Sequence, residues 1–251
     1  MNTNSQRHFD SRATNYETEI GEEYPQWLKW HLIEKYTPQG GCAVDVGGGN
    51  GRHAIDTALK FECDTFCIDL SEGMLVAMNN RANAISLPKD AVHRLHAICA
   101  SAPSLPVKDS SADIAWSYAT LLLLPDQDTA IAELMRVVKP GGIVILDIGN
   151  VWNFGWLYWR RYYRKRGFPG IFPISRTRAT SLIDNLGGDI IEDIPTGVLS
   201  PFLLLPFFDK YPVFRRLIHK NGRYPDLDGI VSKWMPLFAT RHYFVVKKRG
   251  L

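Results

Sequence analysis

The stretch Val44-Asp45-Val46-Gly47-Gly48-Gly49-Asn50-Gly51 constrains this chain more than any other. It joins a short apolar run, 41–46, to a segment in which Ala54, Ile55, Ala58 and Leu59 recur at helical spacing. Glycines in a strand-to-helix turn let the backbone turn tightly and let a ligand approach the main chain. Such a turn belongs to a strand–helix–strand unit, and therefore to an open α/β sheet.

The rest of the first 149 residues keeps that rhythm. Patterning predicts a strand over 64–70, a helix over 72–84, strands over 92–99 and 114–119, and a helix over 126–139. In that last helix Ala130, Ile131, Leu134, Val137 and Val138 share one face. Lys139-Pro140-Gly141-Gly142 reads as a stop, with Pro and Gly placed for a type II turn. The near-continuous apolar run 143–148 suits a parallel strand covered on both faces. Two later stretches break the pattern: 150–178 is crowded with aromatics and bases, and 199–236 is rich in Pro, Phe and Leu. A helix over 179–186 and a strand over 189–194 lie between them, and a last strand covers 241–248. The expected organisation is one domain over 1–251, with N-terminal lid helices in 1–40 and a ligand-binding core in 41–149. The two insertions, 150–178 and 199–236, then form a cap.

Composition excludes several classes. Charged residues at 22% and hydrophobic ones at 45% suit one folded core rather than a disordered chain. No apolar run reaches the ~18 residues that span a bilayer, and 1–10 is polar, without the apolar region of a signal peptide. Cys42, Cys63, Cys67 and Cys99 all fall in apolar, strand-like stretches, away from any histidine at metal-ligand spacing. They read as reduced, buried thiols of a cytoplasmic protein, and no metal site is expected. The charge is divided. Residues 1–149 carry 12 Lys and Arg against 19 Asp and Glu, a net of −7, whereas 150–251 carry 17 against 7, a net of +10. The two halves are expected to meet different partners.

Two acids flank the glycine turn. Asp45 stands two residues before Gly47, and Arg52 replaces the third glycine of a dinucleotide fingerprint. A pyrophosphate would be repelled by a carboxylate at that entrance, whereas an ammonium group would be held by it. Asp69 closes the next strand, 18 residues after Gly51, where a carboxylate can accept both hydroxyls of a ribose. A ligand with a ribose and a cationic amino-acid end fits both, and S-adenosylmethionine is such a ligand. A purely structural turn with a helix-capping Asp has the same local sequence, and both readings stay open on these residues alone.

Taken together, the motifs resemble those of the class I S-adenosylmethionine-dependent methyltransferases, in the branch of the ubiquinone/menaquinone enzymes. The resemblance runs over about 9–149, with a weaker echo in the last strands. It rests on Phe9-Asp10 with Ala13 and Tyr16, on Asp45-x-Gly47-x-Gly49-x-Gly51, and on Asp69-Leu70-Ser71 with Met74. Leu105-Pro106, Ala112-Asp113 and Glu133 to Gly142 complete it. It implies an α/β, Rossmann-like, doubly wound sheet of seven mostly parallel strands, helices on both faces, and an antiparallel last strand at 241–248. It also implies roles. Asp45 and the backbone of Gly47, Gly48, Gly49 and Gly51 would hold the methionine end of S-adenosylmethionine. Asp69 would bind the ribose, Leu70 and Met74 would pack near the adenine, Tyr118 would lie beside the cofactor, and Tyr16 would cover it. Ser101, followed by Ala102, stands where the family often has an Asp that binds the adenine amino group. Leu121 to Leu124 stand where it often has histidines, so no catalytic base is assigned.

Methyl transfer from a sulfonium is an in-line displacement of an activated group, and needs alignment more than acid–base help. His8, His53, His219 and His242 are weak candidates for a base. Trp152, Trp156, Trp159 and Tyr163 fall on one helical stripe, with Arg160, Arg161, Arg164 and Lys165 largely off it. Phe202 to Leu205, Phe207, Phe208, Phe214 and Leu217, with Arg215 and Arg216, repeat this apolar and basic character. A packed lid, a helix lying on an anionic membrane and a nucleic-acid surface all fit, with the lid preferred. The expected activity is methyl transfer to a small-molecule or lipid-like acceptor, anionic or apolar, with O-methylation slightly preferred. The rivals are an RNA or protein methyltransferase, a non-catalytic cofactor-binding protein, and a nucleotide-dependent oxidoreductase, the last disfavoured by Asp45 and Arg52. The expected location is the cytoplasm, with peripheral membrane contact allowed.

Overall fold

The computed structural model describes residues 3–13, 23–153, 155–165, 167–168, 170–200 and 224–250. Their seven strands are β1 (Cys42–Val46), β2 (Asp64–Asp69), β3 (Leu95–Cys99), β4 (Ala112–Ser117), β5 (Val138–Gly149), β6 (Gly188–Thr196) and β7 (Arg241–Lys248). They form one sheet in the order β3-β2-β1-β4-β5-β7-β6. β1 to β5 run parallel, and β7 is antiparallel to both neighbours, β5 and β6. Strand order reverses at β1, whose neighbours are β2 and β4, so a crevice opens there at the carboxyl ends of the strands.

Period-2 alternation builds the two layers. Val44, Ala115, Val144, Leu146 and Phe244 face one core, with Ile131 and Leu134 of α6 (Gln127–Val137) and Ile183 of α8 (Arg176–Asn185). Ala43, Ile114, Trp116, Ile145, Tyr243 and Val245 face the other, where Leu28, Leu32 and Ile33 of α2 (Glu23–Tyr36) cover them. α2 is thus part of the sheet's helical layer, not a loose lid. Behind β1 and β2, α3 (Arg52–Lys60) and α4 (Glu72–Ala84) pack through Ile55, Leu75 and Met78. α4 starts where Ser71 Oγ accepts from Met74 N at 3.1 Å, and α6 where Asp126 accepts from Thr129 N at 3.2 Å.

Several boundaries differ from the sequence expectation. Residues 89–93 form a short helix, α5 (Lys89–His93), and β3 starts only at Leu95, where pairing with Thr65 of β2 begins. Val92 is exposed on that helix, so its apolarity marked no strand. The 139–142 turn lies inside β5: pairing jumps from Ala112–Val138 to Ile114–Ile143, and the intervening residues loop out with Gly141 at φ 80°. α6 accordingly stops at Val137. Cys99 is exposed, not buried, because β3 is the sheet's edge and is covered on one side only. α7 (Trp156–Lys165) leaves out Trp152, whose N–H instead donates to Asn150 Oδ1 in the preceding turn. The side chain of Trp159, Tyr16, and the Phe- and Leu-rich part of the second insertion with His219 lie outside the described residues.

Candidate functional site

The loop after β1 is fixed from below. Gly47 N and Gly48 N both donate to Ile68 O of β2, at 2.7 and 3.2 Å. Asp69 then ties the two loops together: Oδ2 accepts from Gly49 N and Oδ1 from Ser71 N, each at 2.8 Å. A carboxylate offers about four lone-pair sites, so two remain for a ligand. The N-terminal helix α1 (Thr3–Asp10) closes over this corner, where Asp10 Oδ1 accepts from Ser71 Oγ at 2.5 Å and Gly73 N at 3.1 Å.

A cavity of about 250 Å³ sits at the strand switch. Its floor is the glycine loop with Asp45, and its flank is Asp69, Leu70 and Met74. Ala100, Ser101 and Ala102 after β3 and Tyr118 to Thr120 after β4 complete it. The described candidates for cofactor contact therefore converge on one space, except Gly51. That residue lies behind the loop, where an added Cβ would meet Met78 Cγ at 2.1 Å. Its glycine is required by packing against α4. At Gly49 a Cβ would meet only Met74 Sδ, at 4.0 Å, so the room above it is cavity.

Electrostatics match a cation. Asp45 is buried, its Oδ2 has no hydrogen-bond partner, and its pKa is pushed up from 3.8 to about 7. Burial is the main cause; the Trp116 indole and the Ala54 N–H oppose it, and the charge of Asp69 adds to it. Asp69 is also raised, again chiefly by burial, against the favourable Ser71 and Gly49 N–H groups. Two desolvated carboxylates, one with an unpartnered oxygen, suit a ligand that brings positive charge to Asp45 and hydroxyls to Asp69. The open face over Gly49 admits close main-chain approach. The residues present thus fit S-adenosylmethionine.

The lining also holds groups to which the sequence assigned no contact: Phe9, named only as part of the N-terminal segment, and Gln26, Lys29, Thr120 and Arg241. Tyr118 is buried and its hydroxyl donates to Lys29 O at 3.1 Å. Arg241, opening β7, donates from Nη1 to Asp147 Oδ2 at 2.6 Å, and Asp147 Oδ1 accepts from Ala119 N at 2.6 Å. An acid inside the apolar run 143–148 was the signal available for Asp147. Lys29 and Arg241 carry no such signal, because only the fold brings α2 and β7 to the cavity. Among the histidines, His53 lines the cavity, with its pKa lowered to about 3 by burial first and then by Lys29, Arg52 and Arg81. His242 is fully buried between Asp193 and Pro236 O, a structural position. Leu122, Leu123 and Leu124 line the cavity as an apolar wall.

Residues 44–146 match the family model of the methyltransferase domain. The chain is 32% identical over 108 residues to a dimethylglycine N-methyltransferase of Parasynechococcus marenigrum, covering 43% of this chain and 37% of that protein. It is 36% identical over 121 residues to a ubiquinone/menaquinone biosynthesis C-methyltransferase of Dinoroseobacter shibae, covering 45% of this chain and 44% of that protein. Among the first curated relatives, the chain spans between 24% and 48% of their length. In fold it is similar to a geranyl diphosphate C-methyltransferase of Streptomyces coelicolor bound to S-adenosyl-L-homocysteine. There the TM-score is 0.65 and the identity 11%, with 99% of this chain and 98% of that one covered. Residues 44–146 are thus similar to a methyltransferase domain, and the described residues share the fold of solved S-adenosylmethionine-dependent methyltransferases.

Proposed function

We propose that the protein transfers a methyl group from S-adenosylmethionine to a small-molecule or lipid-like acceptor that is apolar, anionic or both, with oxygen slightly preferred as the target atom. The observation that carries the reading is the junction at Asp69, which couples the glycine loop to the ribose-side turn beneath one cavity. Bound there, S-adenosylmethionine would supply an activated methyl group on a sulfonium. The chain's own residues would align and desolvate. Asp45 would hold the amino-acid end together with the main chain of Gly47 to Gly49. Asp69 would hold the ribose, while Leu70, Met74, Ser101 and Ala102 would border the adenine. Tyr118 is fixed by its bond to Lys29 O and would form the wall on the side of the reacting centre. Holding the two partners in line is worth up to ~7–11 kcal/mol in well-oriented cases.

The acceptor is read from the opposite wall. Leu122 to Leu124 and Phe168 are apolar, and Lys29 adds a cation to the lining, whereas the charge of Arg241 is balanced by Asp147; a cation there favours an ionised or polarised oxygen. His53 is held neutral by its surroundings and is poorly suited to take a proton, so alignment rather than base catalysis is the working mechanism. An acceptor of this kind is met at a membrane surface, and peripheral contact with an anionic membrane belongs to the same reading.

The test is to incubate the protein with methyl-labelled S-adenosylmethionine and a cell extract, then separate lipid, RNA and protein fractions. Label in the lipid or small-molecule fraction is expected, and Asp69→Ala should abolish it. Label confined to RNA or protein overturns the acceptor class. Cofactor binding without any transfer makes the chain a binding protein.

A further inference from the structure

Helix α7 has two unlike sides. Trp156 and Tyr163, seven residues apart, are partly buried, and Tyr163 reaches the cavity wall. Leu157, Arg160, Arg161 and Arg164, at i, i+3, i+4 and i+7, share another side and are all exposed, Leu157 at 78%. The arginines of this side, with Lys165, form no ion pair among the described residues. The described acids of residues 150–251 are all committed elsewhere. Asp184 and Asp189 hold Arg249, Glu192 holds Lys35, and Asp193 holds Arg176 and His242. Asp226 accepts from Gly229 N, and Asp228 from the main-chain N–H groups of Gly197, Leu199 and Ser200.

A second exposed apolar segment is tied to the start of this helix. Asn150 Nδ2 donates to Leu237 O and Ala239 O at 2.8 and 2.9 Å, while its Oδ1 accepts from Trp152 N at 3.2 Å. Trp152 is 62% exposed, and Trp234, at the end of α9 (Leu227–Trp234), is 85% exposed. Lys233 precedes Trp234, and the exposed Met235 and Leu237 follow it. Large apolar side chains left in water among unpaired cations are costly for a chain with no partner at that face. The same combination is favourable where a bilayer offers phosphates to the cations and an acyl boundary to the indoles.

We infer that α7 and the 234–237 segment form one docking ledge for a bilayer surface rich in anionic headgroups. Arg160, Arg161 and Arg164 meet the headgroup phosphates, while Trp152, Leu157 and Trp234 enter the boundary of the acyl chains. The ledge stands on its own observations. It rests on the methyl-transfer reading only for its purpose: the cavity to which α7 contributes Tyr163 then lies next to the bilayer that dissolves the acceptor.

Sedimentation of the full chain with vesicles tests this, using phosphatidylcholine alone and phosphatidylcholine with an equal share of phosphatidylglycerol. Binding to the anionic vesicles only is expected, and it should weaken as salt rises. The triple variant Arg160→Glu, Arg161→Glu, Arg164→Glu should lose about tenfold or more in vesicle affinity, since each cation near the surface counts. Trp234→Ser should lose severalfold, whereas Lys89→Glu, a change on the exposed helix α5, should behave as the parent. Calorimetric titration with S-adenosylmethionine on the same preparations shows that the variants are folded. It also separates the two readings: a parent that binds anionic vesicles but no cofactor refutes methyl transfer and leaves the ledge standing. Equal binding to both vesicle types, or a triple variant that sediments like the parent, overturns the ledge. Capture by single-stranded RNA without vesicle binding overturns it in favour of a nucleic-acid surface.

Discussion

Asp45 is the residue whose chemistry most depends on what occupies the cavity. Its carboxyl is pushed up to about 7, against an ordinary value of 3.8, because burial disfavours the charge. A cationic ligand needs it ionised. S-Adenosylmethionine affinity should therefore fall by about tenfold per pH unit below 7, and binding near neutrality should release a proton. Calorimetry in buffers of different ionisation enthalpy measures that release; binding with no proton exchange at pH 6–7 would remove the carboxylate from the ligand's surroundings. The sign for stability is the opposite. A raised carboxyl pKa makes the native state bind the extra proton between 3.8 and about 7, so this group's contribution to apo stability declines as pH rises through that window. Two glycines separate ligand from fold in the same loop. Gly49→Val places its side chain in the cavity at a positive φ, costing ~1–2 kcal/mol of strain, and should abolish cofactor binding with the circular dichroism spectrum intact. Gly51→Val drives into Met78 and should instead lower the unfolding midpoint, which a thermal melt reads directly.

At the scale of elements, the motif that precedes β5 acts as a clamp. Arg136 donates to Leu105 O and Val107 O at 3.0 and 2.8 Å and pairs with Glu133 at 2.6 Å, while Glu133 accepts from Leu105 N at 2.7 Å. α6 thereby holds the loop leading from Ser101 and Ala102 into β4. Arg136→Met would take the guanidinium donor from two carbonyls and leave Glu133 only the N–H of Leu105. It should cost about 1–3 kcal/mol in urea unfolding and weaken cofactor binding by loosening the adenine side. Full stability in that variant would show that the loop does not depend on α6. The family resemblance singled out Glu133, Arg136 and Leu105-Pro106, and patterning found the helix and the turn around them. Neither could tell that they serve geometry rather than contact with a ligand. Patterning also put Trp152 on the same helix as Tyr163, because a spacing of three and four residues extends across a turn that only Asn150 and its partners reveal.

For the molecule as a whole, the site is a product of strand order. The cavity draws on the ends of β1, β2, β3 and β4 and on the first residue of β7, so a ligand bound there braces most of the sheet. S-Adenosylmethionine at a hundred times its dissociation constant should add ~2.7 kcal/mol to stability. In a chain of this size that is a rise of roughly 5–10 °C in the thermal midpoint; an unchanged midpoint would mean that the cofactor binds elsewhere or not at all. By itself the sequence determined the α/β alternation, the glycine turn with Asp45 and Asp69, and a last strand at 241–248, whose antiparallel direction only the family resemblance implied. Those properties are written in periodicity, in turn chemistry and in a local motif, each spanning a few neighbouring residues. Only the tertiary structure decided that Gly51 packs on α4, that His53 is held neutral, and that Asp147 and Arg241 meet across β5 and β7. It alone decided which aromatic and basic groups of the second half stay in water. Burial and charge pairing between distant segments depend on which surfaces the fold brings together, and no short-range pattern carries that information.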